Sequence, residues 1–160
     1  MWLYDGIYIA ENKSWVADGI RHPPNWAIWS DAAKEAAGLT QAADQEKPSD
    51  VFYSGISRNE DGSWASTEMD LAGLKTRYVA ATKRSAADRL SLTDWQIIAK
   101  TERDREIDEQ TATYRAAVLS ACSTIEGKIG ACNTMDNFKA LFVVTGEGNA
   151  PINDWPELEI

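Results

Sequence analysis

Apolar and polar positions in the first third of the chain form short apolar runs cut by turns. Trp2, Leu3 and Tyr4 precede Asp5-Gly6 and Ile7, Tyr8 and Ile9 follow; Trp15-Val16 and Ile20-Arg21 flank a second Asp-Gly at Asp18-Gly19. Asp-Gly between β-prone runs is the strongest short hairpin signal, because the favoured two-residue turn needs positive φ at both positions. A small antiparallel meander is expected from Trp2 to about His22, closed by Pro23-Pro24, where a regular strand cannot continue. Ser30 is placed to cap a short helix over residues 31–37, and Gly38 to end it. Residues 40–50 are polar, contain Pro48 and read as a surface connection. Residues 51–57 and 63–67 bracket Arg58-Asn59-Glu60-Asp61-Gly62, a second hairpin expected to join the first sheet.

After Glu68 the apolar period becomes helical. Leu71, Leu74, Tyr78 and Ala81 form one stripe on a helix that runs to about Leu90. Thr93-Asp94-Trp95-Gln96 fits a capping box, so a helix is expected to start there and to bury Trp95 and Ile98. Charged residues 101–106 break that pattern. Ile107 then opens the longest helical stretch, to about Ile129, with Tyr114, Ala117, Val118, Ala121, Cys122, Ile125 and Ile129 on one broad face. A coiled-coil seam through the same stretch would place Thr111, Ala121 and Lys128 at core positions, which favours a core helix in a bundle instead. Thr134 is placed to cap a last short helix that turns Phe138, Leu141 and Phe142 inward. The closing segment, with Gly146, Gly148, Pro151 and Pro156 around Trp155, reads as an extended strap. The fold class expected is α+β: an N-terminal β meander and hairpin, three to four helices in a bundle, and the strap. The organisation is 1–67, 68–145 and 146–160, with no internal repeat.

Composition narrows the function classes. The chain has 160 residues, 44% of them apolar, which suffices for a hydrophobic core. Its 25 acidic against 16 basic groups leave a net charge of −9. Nucleic-acid affinity rests on Lys and Arg displacing counterions from phosphates, so neither a nucleic acid nor an anionic membrane surface is an expected partner. No run approaches the roughly 20 apolar residues of a membrane span. Residues 1–10 carry Asp5 and no basic lead, which is unlike a secretory leader.

Candidate chemistry is sparse. His22 is the single histidine, so any imidazole-dependent scheme must use it, and its place before two prolines suits a structural role. No nucleophile elbow, phosphate-cradling loop, dinucleotide fingerprint or zinc-protease motif occurs. Asn59, Glu60 and Asp61 before Gly62 lack the alternating ligands of a calcium loop and read as a turn. Cys122 and Cys132 have no second pair at zinc spacing, and on one helix they would stand about 15 Å apart. Paired acids such as Glu102 with Asp104, or Asp108 with Glu109, read as solvated helix faces partnered by Arg103, Arg105 and Arg115. No metal, cofactor or catalytic centre is therefore expected. Seven tryptophans stand out. Trp2, Trp15, Trp26, Trp29 and Trp155 are candidates for partner binding, because indoles are enriched among the residues that dominate protein contacts. Core filling and carbohydrate stacking are the other two uses of such rings.

Three stretches carry a family resemblance. Residues 14–29 (SWVADGIRHPPNWAIW), 90–115 (LSLTDWQIIAKTERDREIDEQTATYR) and the ending GNAPINDWP resemble small virion-associated proteins of tailed bacteriophages. The middle stretch, with Thr93-Asp94-Trp95 followed by Tyr114-Arg115 and later Trp155-Pro156, is also similar to the C-terminal part of phage tail-fibre assembly proteins. Together they span about a third of the chain. Assembly-protein relatives often carry a proline-containing turn soon after the Trp; here Gln96 to Lys100 and a charged run follow. The resemblance implies a non-enzymatic structural role in a fibre or baseplate, in contact with other tail proteins or further copies of the chain, and located in the virion after assembly in the host cytoplasm. Its alternative is a chaperone of fibre assembly. A host-surface glycan-binding module or hydrolase is the third reading, and no motif supports it.

Overall fold

The computed structural model describes residues 1–146 and 148–157. The chain is α+β and divides into two compact units, Met1–Met69 and the residues from Asp70 onward.

The first unit holds the strands. Both Asp-Gly pairs form the expected hairpin turns, with φ of 49° and 77° at Asp5-Gly6 and 48° and 78° at Asp18-Gly19. They connect β1 (Trp2–Tyr4) to β2 (Ile7–Tyr8) and β3 (Trp15–Ala17) to β4 (Ile20–His22). A 3₁₀ helix, Pro24–Ile28, and α1, Asp31–Ala36, follow. Ser30 Oγ accepts from the Ala33 amide at 3.3 Å, and Gly38 takes φ 84° after the last turn. Inside the polar connection, β5 (Thr40–Gln41) returns to pair with β1. The later hairpin is β6 (Tyr53–Arg58) and β7 (Trp64–Glu68).

The strands are spread over three small sheets, β2-β1-β5, β3-β4 and β6-β7, instead of one. The second hairpin therefore does not join the first sheet by strand pairing. Side chains, and one hydrogen bond from the Tyr8 amide to the Glu60 carbonyl, hold it there. The Arg58 guanidinium lies between the Tyr8 ring at 4.4 Å and the Trp64 ring at 4.8 Å, and it is paired to the Asp44 carboxylate. Its Nε donates to the Gly62 carbonyl at 2.9 Å. That approach leaves Gly62 (φ 82°) against Met1 and Tyr8, with no room for a Cβ. Trp15, Ala17, Trp26 and Leu39 form the buried core, with Trp2, Tyr4, Ile9, Trp29 and Ala37 packed around it.

The second unit is helical: α2 (Leu71–Ser91), α3 (Asp94–Arg103), α4 (Glu109–Ala131) and α5 (Met135–Ala140). Asp70, Asp108 and Thr134 cap α2, α4 and α5 through their side chains. α2 packs on α4, burying Leu74, Thr82 and Ala86 on one and Tyr114, Val118, Ile125 and Ile129 on the other. Lys75 Nζ donates to the carbonyls of Gly130 and Cys132 at 2.7 and 2.8 Å, which satisfies the end of α4. Phe138 is fully buried in a ring trio with Tyr78 and Phe142, their centroids 5.1–5.5 Å apart. Cys122 and Cys132 are both free thiols.

The described part of the closing segment is not fully extended. It forms a 3₁₀ helix, Pro151–Asn153, on α4, and the Ile152 amide donates to the Leu141 carbonyl at 3.0 Å. Residues 147 and 158–160 of the expected strap lie outside the described residues.

Candidate functional site

The five tryptophans singled out as partner candidates fall into two groups. Trp2, Trp15, Trp26 and Trp29 converge on the core of the first unit. Trp26 is 1% exposed and its Nε1 donates to the Lys13 carbonyl at 3.1 Å. Trp15 is buried and stacks on His22 at 4.2 Å and 17°, while the His22 ring meets Trp29 edge-on at 5.8 Å. The imidazole thus lies among indoles. Trp15 Nε1 has no hydrogen-bond partner among the described residues. Trp2 is half-buried, with the Lys34 ammonium 5.0 Å from its ring. Trp155 belongs to the helical unit, 9% exposed beneath the Arg89 guanidinium at 4.6 Å. What these rings leave for a partner is the half-exposed surface of Trp2 and Trp29.

Residues 90–115 build a different arrangement, a locked corner between helices. Thr93 starts α3 but makes no side-chain cap; its hydroxyl donates back to the Leu90 carbonyl at 3.1 Å. Gln96 does not return to the Thr93 amide either. Its Oε1 accepts from the Asp108 amide at 3.1 Å, and its Nε2 donates to Thr111 Oγ1 at 3.0 Å and to the Asp108 carboxylate. Asp108 meanwhile accepts from the Thr111 amide at 2.7 Å and caps α4. The capping-box residues are present, yet Gln96 serves the next helix. Arg115 closes the corner from α4, its Nη1 lying 2.8 Å from the Leu90 carbonyl, 2.8 Å from Thr93 Oγ1 and 2.9 Å from Asp94 Oδ1. The Thr111 amide first, then the Gln96 side chain and the Thr111 hydroxyl, hold the Asp108 carboxyl below its ordinary value.

The orientation of α3 follows from this lock. The helix ends with Asp104 in the left-handed region (φ 53°), whose amide donates to the Lys100 carbonyl while the Arg105 amide donates to that of Ala99. With Gln96 turned toward α4, Trp95 and Ile98 fall on another side of the cylinder, because helical neighbours stand about 100° apart. Trp95 is 53% exposed, Ile98 54% and Leu92 61%. The expected burial of Trp95 and Ile98 is therefore corrected: α3 is amphipathic, but among the described residues no element covers its apolar side, and the helix contains no buried residue. The Arg105 guanidinium lies 5.8 Å from the Trp95 ring, beside a cavity of about 70 Å³ lined by Gln96, Ala99, Glu106 and Asp108. Residue spacing contains a signal for this outcome. A ten-residue helix with apolar groups at 95, 97 and 98 between charged flanks can pack inward or outward, and only the neighbours decide.

Two shallow grooves run along another face of α4, about 410 and 290 Å³ in volume, and share Ala117 and Pro156. Among the described residues no group of three or more His, Cys, Asp or Glu converges on a metal-sized site, and no helix is long and apolar enough to cross a membrane. The chemistry available at the α3 face is apolar burial with a polar rim, as in a protein contact. Comparison of the chain with protein-family models, with curated proteins and with solved structures finds no match in any of the three.

Proposed function

We propose that this chain is a non-enzymatic structural component of a bacteriophage tail, associated with the fibre or baseplate, and that it acts through protein–protein contacts. The observation that carries the reading is the α3 face. A Trp and an Ile more than half exposed, on a helix pinned at its N-terminal end by buried or half-buried polar groups, form a preorganised contact surface. Preorganisation raises affinity because little conformational entropy remains to be lost on docking. The residues of the lock, Thr93, Asp94, Gln96, Asp108, Thr111 and Arg115, lie in the stretch that resembles phage tail proteins, so the resemblance and the geometry meet at one place.

Mass spectrometry of purified particles from a phage encoding this chain tests the reading. Peptides of the chain are expected in the virion at a fixed ratio to other tail proteins, and Trp95→Glu is expected to reduce its incorporation. A chain found in infected cells and absent from finished particles overturns the structural role in favour of the assembly chaperone.

A further inference from the structure

We infer that the α3 face is a self-association surface, occupied by the same face of a second copy of this chain lying antiparallel across a two-fold axis. The inference rests on the proposal that this face is a contact surface and adds what it contacts. Area is the first support. The exposed fractions of Leu92, Trp95 and Ile98 amount to roughly 350 Å² of apolar surface, given that a large ring alone offers up to about 250 Å². Two such faces withdraw roughly 700 Å². A standard interface buries about 1,600 Å² in total, slightly more than half of it apolar, so two copies supply roughly three-quarters of the apolar share that a stable pair needs.

Charge decides the orientation. Glu102 stands two turns beyond Trp95 on the same side of α3, at its C-terminal end, whereas Arg105 folds back over Trp95 at the N-terminal end. Neither is in an ion pair among the described residues, while their neighbours Lys100 and Glu106 pair with each other at 2.6 Å. A parallel pair would set Glu102 against Glu102. An antiparallel pair sets Glu102 of each copy against Arg105 of the other, and two-fold symmetry makes that contact twice. The chain as a whole carries −9, but residues 94–106 hold three positive groups (Lys100, Arg103, Arg105) against four negative ones (Asp94, Glu102, Asp104, Glu106), a net −1, so charge repulsion between two such segments is small.

Sedimentation velocity of the full chain, at a salt concentration that screens the remaining acidic surface beyond about 8 Å, reads the pair as a concentration-dependent dimer. Trp95→Glu is expected to leave far-UV circular dichroism unchanged, and thermal unfolding unchanged at concentrations where the parent chain is monomeric, because the position is exposed. It is expected to weaken dimerisation about a thousandfold, roughly 30-fold for each of the two anchors lost. Glu102→Arg and Arg105→Glu each weaken the dimer about tenfold, and the doubly swapped variant regains the parent affinity. A chain monomeric at every concentration, a dimer indifferent to Trp95→Glu, or a double swap no better than the single ones overturns the inference. A monomeric chain whose Trp95→Glu variant still fails to enter particles removes the second copy and leaves the tail reading standing. A dimer with these responses, absent from particles, does the reverse.

Discussion

Arg115→Met keeps most of the aliphatic stem and removes the guanidinium that closes the α2–α3–α4 corner. One terminal nitrogen serves three acceptors, the Leu90 carbonyl, Thr93 Oγ1 and Asp94 Oδ1, all within 2.9 Å. An NH₂ group has two hydrogens, so the three share two donated bonds at any moment. A hydrogen bond from a charged donor contributes about 1.5–3 kcal/mol. The exposed Asp94 carboxylate brings the smaller contribution of a surface pair, about 0–1 kcal/mol. The Leu90 carbonyl also accepts from the Thr93 amide and hydroxyl, so the substitution does not leave it unsatisfied. The net loss is about 2–3 kcal/mol. Urea unfolding followed by far-UV circular dichroism measures it as a lowered midpoint at unchanged slope. Arg115→Lys, which keeps the charge and loses the planar fork, recovers less than half. A double-mutant cycle with Thr93→Val returns a coupling of about 1 kcal/mol or more. A loss below about 0.5 kcal/mol for Arg115→Met, or no coupling to Thr93, refutes the lock and with it the argument that Trp95 is held outward.

Phe138→Ala empties the centre of the ring trio and is expected to destabilise the helical unit by about 3–5 kcal/mol, read from the same urea transition. Lys75→Met removes the donor to two carbonyls at the end of α4; a loss of about 1–3 kcal/mol is expected, with faster amide exchange in the segment that leads into α5 as the second readout. Asp108 titrates below its ordinary value of 3.8 in the folded chain, so the folded state binds that proton more weakly than the unfolded state. Its stabilisation is therefore complete above about pH 5 and is lost progressively as pH falls through 3.8 toward the folded value. Asp108→Asn keeps a capping side chain and removes the titration; an acid limb as steep in the variant as in the parent would count against the assignment.

The features legible in the sequence are those whose cause is local. Asp5-Gly6 and Asp18-Gly19 demand positive φ whatever surrounds them, and Ser30 and Thr134 cap with their own hydroxyls three residues ahead. α2 and α4 follow from stripes long enough to average out exceptions. The misread features depend on groups distant in sequence. Thr93 and Gln96 satisfy the capping-box pattern, yet Asp108, twelve positions beyond Gln96, offers the amide donor and carboxylate that Gln96 takes instead. Trp95 and Ile98 were expected inside because periodicity identifies an apolar face without identifying its cover. Two-residue β5 has no strand signature at all and exists because β1 offers it a free edge. Among the tryptophans, Trp15, Trp26 and Trp155 are buried, the core-filling use that the sequence also allows, while Trp2 and Trp29 keep part of their surface exposed.

Arg58 has a bearing on how the first unit comes apart. Sheets of two or three short strands are marginal in water by themselves, and here no ladder links the β6-β7 pair to the others. A flat cation between Tyr8 and Trp64, together with the hydrogen bond from the Tyr8 amide to the Glu60 carbonyl, does the joining. Fraying of β1-β2 and of β6-β7 is consequently coupled, since releasing that clamp deprives both ribbons of support together. Amide protection in these two ribbons is then expected to vanish in a single step, however irregular the strands that share it.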